Sequence, residues 1–246
     1  MTALTLIGGP TLLLEVAGLR LLTDPTFDGP GSYPAGSVTL TKRVGPALTT
    51  VALGPLDAVL LSHDQHADNL DEAGRALLPS ARRVLTTIAG AGRLGTHAEG
   101  LAPWQSVELG DGVRVTATPA RHGPVGIEPL TGEVIGFVIE ADGRAIYVSG
   151  DTVWYEGVAE VARRFDIGLA ILFTGAARTR GAVHLTMDAN DAIAAAHAFA
   201  QATIVAVHND GWAHFSESGD DLAQSFAVVG LAERLLPLPL GRRVEV

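Results

Sequence analysis

A short polar segment in the first third of the chain holds the densest group of side chains that could bind a metal. It reads Ser62-His63-Asp64-Gln65-His66-Ala67-Asp68-Asn69. Neutral imidazoles and carboxylates this close together in a tight loop can reach one cation, and they suit zinc, manganese or iron. The segment also fits an ordinary loop that caps a helix through Asp68 or Asn69. Taken alone, it does not decide between these interpretations.

The other candidates are spread along the chain, each near the end of a predicted strand. They are His122 in Pro119-Ala120-Arg121-His122, Asp151 in Gly150-Asp151-Thr152, His184 in His184-Leu185-Thr186-Met187, and both His208 and His214 in His208-Asn209-Asp210-Gly211-Trp212-Ala213-His214. Strand ends at one rim of a scaffold are where distant side chains can meet. Structural roles also fit singly: Asp151 could cap the next helix, and His184 could begin one.

Taken in order, these motifs resemble the metallo-β-lactamase superfamily. Within it, they are most similar to the branch of L-ascorbate 6-phosphate lactonase and N-acyl-phosphatidylethanolamine-hydrolysing phospholipase D. The resemblance also includes Leu22-Thr23-Asp24-Pro25 and the Leu61-Ser62-His63 start of a loop of the HxHxDH type. It spans nearly the whole chain, although Gly9 stands where the family has a histidine in an early turn.

The resemblance implies two neighbouring metal sites joined by a bridging carboxylate. The implied ligands are His63, His66 and His122 for the first ion, Asp151 as the bridge, and Asp68 with His208 for the second ion. We therefore expect one or two divalent ions, with zinc the first choice and manganese or iron as alternatives.

The resemblance also implies a reaction: hydrolysis of an ester, lactone or phosphodiester in a small-molecule substrate. A hydroxide bridging the ions would be the nucleophile, because a bound cation lowers the pKa of water, to about 7 on zinc. Asp68 would orient it. His184 would donate a proton to the leaving group or hold an anionic substrate.

The metal-binding loop departs from the family pattern. Laid on HxHxDH without a gap, the chain places Asp64 first; with one inserted residue it places His63 first. We prefer the inserted alignment because it keeps two imidazoles. Either way Asn69 replaces the last histidine, and since an amide is a poor transition-metal ligand, the second site should be weak or empty. Asp64 and Asn69 are tentative ligands, and we hypothesise that His214 compensates.

Two other functions stay open at this stage. The altered loop also fits a metal- or ligand-binding sensor that keeps the pocket and has lost catalysis. A nuclease of the same superfamily is disfavoured by the formal charge of −10, from 17 basic and 27 acidic residues, which would repel nucleic acid. The chain contains no P-loop and no G-x-S-x-G motif, and its G-x-G-x-x-G run at residues 90–95 opens no predicted helix, so nothing supports a nucleotide-binding fold.

Composition sets the remaining expectations. The 246 residues are 47% hydrophobic and include no cysteine, so we expect a large core, no disulfide and metal ligands drawn from His, Asp, Glu or Asn. The apolar runs are too short to span a bilayer. The first residues lack the basic region of a signal peptide, which leads us to expect a cytoplasmic protein. Homo-oligomerisation stays open.

The order of predicted elements favours an α/β fold, an αββα four-layer sandwich formed by residues 1–246 as one domain. Residues 29–46, rich in Gly, Pro and Ser, are expected to form a long exposed loop beside the active site. A helix is expected near residue 70, with Asn69 and Glu72 forming a capping box. The predicted strands are 4–7, 11–16, 19–23, 58–61, 84–86, 113–118, 134–140, 145–149, 169–173 and 203–207, and the predicted helices further along the chain are 153–165 and 187–200.

Overall fold

A computed structural model describes residues 2–110 and 112–246, which form two large sheets, a separate hairpin and several helices. The strands are β1 (Thr2–Gly8), β2 (Thr11–Val16), β3 (Leu19–Thr23), β4 (Gly31–Ala35), β5 (Val38–Lys42), β6 (Ala58–Leu60), β7 (Val84–Thr87), β8 (Glu99–Leu101), β9 (Ser106–Gly110), β10 (Val113–Pro119), β11 (Ile135–Ala141), β12 (Arg144–Val148), β13 (Ile167–Phe173), β14 (Thr203–Val207) and β15 (Arg243–Glu245). The helices are α1 (Glu72–Leu77), α2 (Ile88–Leu94), α3 (Glu128–Thr131), α4 (Glu156–Arg164), α5 (Ala189–Ala198) and α6 (Gly219–Val228). Within these ranges, no helix has the length and apolar character needed to cross a bilayer.

Both large sheets mix parallel and antiparallel pairs. The first has the order β15-β1-β2-β3-β6-β7-β8, and the second β14-β13-β12-β11-β10-β9. The predicted antiparallel meander β1-β2-β3 is confirmed, and β6 then adds parallel to β3. In the second sheet, β12, β13 and β14 are parallel, and β10 runs the same way because two antiparallel pairings separate it from β12. Chain segments that follow these strands therefore leave each sheet at a shared edge.

The apolar side chains form three layers of contact, which define the four-layer sandwich. The central layer joins the inner faces of both sheets and includes Leu14, Phe137 and Phe173. A second layer packs the outer face of the second sheet, with Tyr147, against the helix residue Phe226. The third covers the outer face of the first sheet with residues such as Leu53, Leu70 and Leu78. Strands such as β11 are nearly all apolar because both of their faces are buried. The predicted αββα architecture is confirmed.

Residues 29–46 differ from the irregular loop expected from the sequence. They contain the antiparallel hairpin β4–β5, which turns at Gly36 with a left-handed φ of +63°. The buried Lys42 fixes its base through an ion pair with Asp71, at 3.2 Å between Nζ and Oδ2. The ring of Tyr33 packs on Trp212, with centroids 5.5 Å apart. The backbone groups of this segment are thus hydrogen-bonded by strand pairing, although its content of Gly and Pro had predicted an irregular loop.

The start of α1 also differs from the expected capping box. Asp71, not Asn69, is the N-cap, and its side chain accepts a hydrogen bond from the backbone N–H of Gly74 at 2.8 Å. Asp71 also accepts from the backbone N–H groups of Phe27 and Asp28. Asn69 is buried and its amide faces two carboxylates instead, which leaves it unable to cap the helix.

Candidate metal centre

The segments that carry the candidate ligands all follow strands at one edge of the sandwich. The His63 segment follows β6, His122 follows β10, Asp151 follows β12 and His208 follows β14. These strands are short, apolar and buried, so hydrophobic packing fixes where each one ends. The polar residues just beyond these ends face one another across the top of the two sheets.

Four of the predicted ligands converge on one point. One ligand atom from each of His63, His66, His122 and Asp151 can be chosen so that all four lie within 4.8 Å of one another. The Nδ1 atom of His66 lies 2.8 Å from Nε2 of His63 and 3.3 Å from Nε2 of His122. The same Nε2 atom of His122 lies 3.4 Å from Oδ2 of Asp151. Ligands about 2.0–2.2 Å from a tetrahedral ion lie roughly 3.3–3.6 Å apart. Two of the three separations match this spacing, and the 2.8 Å between His63 and His66 is the shorter distance of a hydrogen bond, so the set fits one cation once these two rings move slightly apart.

Hydrogen bonds on the far side of two rings set which nitrogen faces the centre. His122 Nδ1 lies 2.8 Å from the carbonyl oxygen of Leu185, to which it donates. His63 Nδ1 lies 2.9 Å from Oγ of Ser62, which itself donates to Asp24 at 2.7 Å and therefore accepts from the ring. Both Nε2 atoms are left with a free lone pair, the arrangement that a metal-binding histidine requires.

Burial and neighbouring charges keep these groups in the form that binds a metal. Burial, with the ring of His66 next to it, holds the pKa of His63 well below its usual value. Burial and the ring of His122 lower the pKa of His66 to about 4. Burial acts to raise the pKa of Asp151, but His208 and His122 outweigh it and lower that pKa. Near neutral pH the rings of His63 and His66 are therefore neutral and the carboxylate of Asp151 is charged.

A second group of side chains lies on the other side of Asp151. His208 Nε2 is 3.4 Å from Oδ1 of Asp151 and 3.6 Å from Oδ2 of Asp68. His214 Nε2 is 2.9 Å from the same oxygen of Asp68. Both ring nitrogens of His208 and Oδ1 of Asp68 are buried without a hydrogen-bond partner among the residues described. Because buried polar atoms without partners are costly, this donor set also fits a cation.

The electrostatics of this second group differ from those of the first. Burial acts to lower the pKa of His208, but the charge of Asp151 raises it above its ordinary value. For Asp68, burial acts to raise the pKa and the hydrogen bond from His214 acts to lower it; the net result is a lowered pKa. Without a cation, the two buried carboxylates thus favour the protonated form of His208.

Asn69 lies between carboxylates as a hydrogen-bond donor. Its Nδ2 is 3.2 Å from Oδ1 of Asp151 and 3.3 Å from Oδ2 of Asp24. An amide nitrogen in this position offers protons, which carboxylates accept and a cation cannot use. The side chain of Asn69 therefore helps to hold Asp151 in place.

The structure does not bring two of the predicted residues into this group. Asp64, a tentative ligand, is held by Arg93, whose Nε lies 2.9 Å from Oδ2 of Asp64. His184, expected to act on the leaving group or on an anionic substrate, instead pairs with Asp188 at 3.2 Å, one helical turn further along the chain. The backbone next to His184 contributes instead, because the carbonyl of Leu185 orients His122.

Sequence reasoning missed the residues that support the ligands. Asp24, which is fully buried with a φ of +27°, accepts hydrogen bonds from the backbone and the side chain of Ser62. Burial raises the pKa of Asp24 to about 7. The Thr23-Asp24-Pro25 motif and the Ser62 before His63 were the available signals, but their spacing does not reveal that Asp24 and Ser62 touch.

A cavity of about 250 Å³ opens beside the centre, with His66, Asp68, His122 and His214 in its wall. The hairpin β4–β5 covers one side. This confirms that residues 29–46 border the site, in the form of a hairpin. The protein is thus a four-layer α/β sandwich with three histidines and a carboxylate clustered next to a cavity. This combination indicates a class of proteins that bind a metal at the edge of such a sandwich.

Comparison with known proteins agrees with this class. A model of the beta-lactamase superfamily domain matches residues 19–209. A UPF0173 metal-dependent hydrolase of Opitutus terrae is 32% identical over 217 residues, which cover 83% of each chain. The crystal structure of a possible metal-dependent hydrolase from Veillonella parvula has a TM-score of 0.90 and 24% identity, with 100% of both chains covered.

The crystal structure of an isothiocyanate hydrolase from Delia radicum gut bacteria has a TM-score of 0.87 and 24% identity, covering 99% of this chain and 98% of that one. Both solved structures support the fold. The chain belongs to the beta-lactamase superfamily domain family, and its relatives there include metal-dependent hydrolases.

Proposed function

We propose that this protein hydrolyses a small-molecule ester, lactone or phosphodiester with the help of one or two divalent ions, zinc being our first choice. The observation that carries the proposal is the convergence of His63, His66, His122 and Asp151 within 4.8 Å. When bound, a divalent cation supplies Lewis acidity and lowers the pKa of water toward neutrality, to about 7 on zinc. The narrower resemblance to the lactonase and phospholipase D branch remains a prediction.

The protein's own residues would bind the ion, set the tautomers of the ligands and orient a water molecule. His63, His66 and His122 hold the first ion as neutral donors, and the hydrogen bonds of Ser62 and Leu185 keep two of those rings in the required tautomer. Asp68 has one carboxylate oxygen hydrogen-bonded to His214 and one that has no hydrogen-bond partner in the part of the chain that the structure describes. The free oxygen can accept a hydrogen bond from a water molecule and so orient it toward a substrate.

For a second ion, the contacts favour Asp68, Asp151, His208 and His214 as ligands. His214 reaches Asp68 from the loop after β14, so an imidazole is present although Asn69 replaces the family's histidine. The amide nitrogen of Asn69 faces Asp151 as a donor and is therefore excluded from the set. On this proposal His214 compensates for the altered loop, and the second site is weaker than the first.

Metal analysis combined with substrate profiling tests this function. The purified protein is assayed for bound metals, then tested on chromogenic esters, lactones and phosphodiesters, with an isothiocyanate added because one structural relative is named for that substrate. We expect turnover that is lost on chelation and in His122→Ala. His197→Ala is the matched control, because His197 is exposed on α5 away from the cavity.

Two results would overturn the proposal. Turnover that survives both chelation and His122→Ala would show that the reaction does not use this centre. Tight metal binding without turnover on any substrate class would favour a sensor that has lost catalysis.

A further inference from the structure

We propose that the cavity beside the metal centre binds a small substrate with an apolar body and a single monoanionic group of the carboxylate type, and that Arg180 binds this group. The inference rests on the proposed hydrolase function and specifies its substrate class. It is carried by the distribution of charge and apolar surface around the cavity.

One part of the cavity wall is apolar. The hairpin β4–β5 contributes Pro34, Val38 and Leu40, and the opposite wall contributes Leu130 and Leu185. These side chains give an alkyl or aryl group a favourable environment, and the polar part of the wall lies at the metal centre and along Gln65, Thr131, Thr179 and Arg180. With a volume of about 250 Å³, the cavity is smaller than most sites for drug-sized ligands, which suggests a compact molecule.

Arg180 is the one Lys or Arg side chain among the residues that line this cavity in the described part of the chain. Its Nη1 donates to Oγ of Ser37, at 3.0 Å, next to the turn of the hairpin. Within residues 2–110 and 112–246, no carboxylate lies within 4 Å of its guanidinium. The bond to Ser37 uses one of five N–H donors, so the guanidinium retains donors and its full charge for a ligand.

The surroundings favour one negative charge over several. A guanidinium binds a carboxylate through two parallel hydrogen bonds, which matches the single cationic side chain here. A phosphate dianion or a longer polyanion would need further cationic side chains, and the chain as a whole carries a formal charge of −10. A neutral substrate would leave the positive charge of Arg180 without a negative group to bind. We therefore assign the carboxylate to the Arg180 end of the cavity and the reacting bond to the end at His66 and His122.

A matched pair of esters tests the assignment. Mono-4-nitrophenyl glutarate carries a carboxylate at the end of its five-carbon acyl chain, and 4-nitrophenyl pentanoate has a chain of the same length without charge. We expect the metal-loaded protein to prefer the anionic ester. Arg180→Gln should reduce kcat/KM for the anionic ester by about 10- to 100-fold, mainly through KM, since a charge-assisted hydrogen bond is lost. The neutral ester should be unaffected.

Two further variants provide controls. Arg180→Lys keeps the charge and loses the two-pronged geometry, so it should restore part of the preference. Arg178→Gln removes a nearby exposed arginine that does not line the cavity, and it should behave like the wild type. Equal effects of Arg178→Gln and Arg180→Gln would attribute the preference to the general field of the protein and would contradict the assignment.

Binding of the corresponding 4-nitroanilides, measured calorimetrically on the metal-loaded protein, separates this inference from the proposed function. If Arg180→Gln weakens the anionic anilide alone and neither ester is hydrolysed, the subsite stands and ester hydrolysis is wrong. If both esters are hydrolysed equally by the wild type and by Arg180→Gln, and both anilides bind equally, hydrolysis stands and the subsite is wrong.

Discussion

The side chains on the two sides of Asp151 differ in how they are held in place. On the imidazole side, formed by His63, His66 and His122, the ring nitrogens point at one another, and two of the rings are oriented by partners behind them. The carboxylate side consists of Asp68, Asn69, His208 and His214. There, several buried polar atoms have no hydrogen-bond partner within residues 2–110 and 112–246, and the amide of Asn69 donates to Asp151.

This difference suggests that the two sides bind metal with different strength. The imidazole side has its tautomers set in advance, so a cation needs little rearrangement on binding. The carboxylate side depends on a histidine from a distant loop and on charges that compensate one another when no cation is bound. We expect the first ion to bind tightly and the second to exchange more readily.

The largest expected effect comes from Asp151→Asn, because Asp151 lies between both sides. The variant should lose both ions and lower kcat/KM by more than about 100-fold, beyond the usual cost of removing a residue that merely supports a ligand. Metal content and turnover on the same sample provide the measurement. Asp142→Asn, an exposed substitution of the same kind in the β11–β12 turn, is the control. Unchanged metal content in Asp151→Asn would show that it does not bridge.

His214→Ala separates the two sides. We expect the metal content to fall from two equivalents to one, with the first ion bound as in the wild type, because His214 contacts only the carboxylate side through Asp68. The measurement is a metal titration followed calorimetrically, with His197→Ala as control. Loss of both ions, or of neither, would remove the distinction between the sides.

Asn69→His provides the opposite change at the same side. It replaces the amide donor with an imidazole, a far better ligand for a transition metal, so the second ion should bind more tightly than in the wild type. The gain should persist in the double variant with His214→Ala. A weaker second site in Asn69→His would indicate that the hydrogen bonds from Asn69 to Asp24 and Asp151 are worth more than an added ligand.

Ser62→Ala tests the support behind the imidazole side. It removes the acceptor for Nδ1 of His63 and the hydroxyl donor to Asp24. Metal affinity of the first site should fall by about 10- to 100-fold, the usual cost of losing such a partner. Competition with a coloured chelator measures this change, and Ser225→Ala is the control, because Ser225 is half-buried on α6 and does not line the cavity. An unchanged affinity would mean that the tautomer of His63 is set without Ser62.

The smallest effect concerns pH in the chelated protein. The pKa of His66 is lowered to about 4 in the folded state from its ordinary value of 6.5. Between these two values the unfolded chain binds a proton that the folded protein excludes, so stability falls as the pH drops through this window. His66→Gln should weaken this dependence, whereas His197→Gln should not. Thermal unfolding between pH 4 and 7 would reveal identical slopes if the prediction is wrong.

The apolar strands, and roughly where each one ends, could be predicted from the sequence. The runs of β1, β2, β3, β11 and β13 are visible because burial on both faces demands continuous apolar sequence. Elements with short or polar sequences, such as α2, β8, β9, α6 and β15, were not predicted, although Ser218 and Asp221 form a capping box at the start of α6. Single-domain organisation remains a prediction.

Within the site, spacing along the sequence could not reveal which side chains have a competing partner. Asp64 is adjacent to His63 in sequence, but Arg93 from α2, a helix that was not predicted, binds its carboxylate. His184 pairs with Asp188 one turn further on. The contact between His214 and Asp68 joins residues 146 positions apart, so local sequence supports a hypothesis about it and cannot establish the geometry.

A crystal structure of the metal-loaded protein, with anomalous scattering recorded across the zinc edge, tests the central claim most directly. We predict an anomalous peak about 2.0–2.2 Å from Nε2 of His63, Nδ1 of His66 and Nε2 of His122. A metal-loaded crystal with no peak among these three nitrogens, or with its metal bound elsewhere on the protein, would contradict the account.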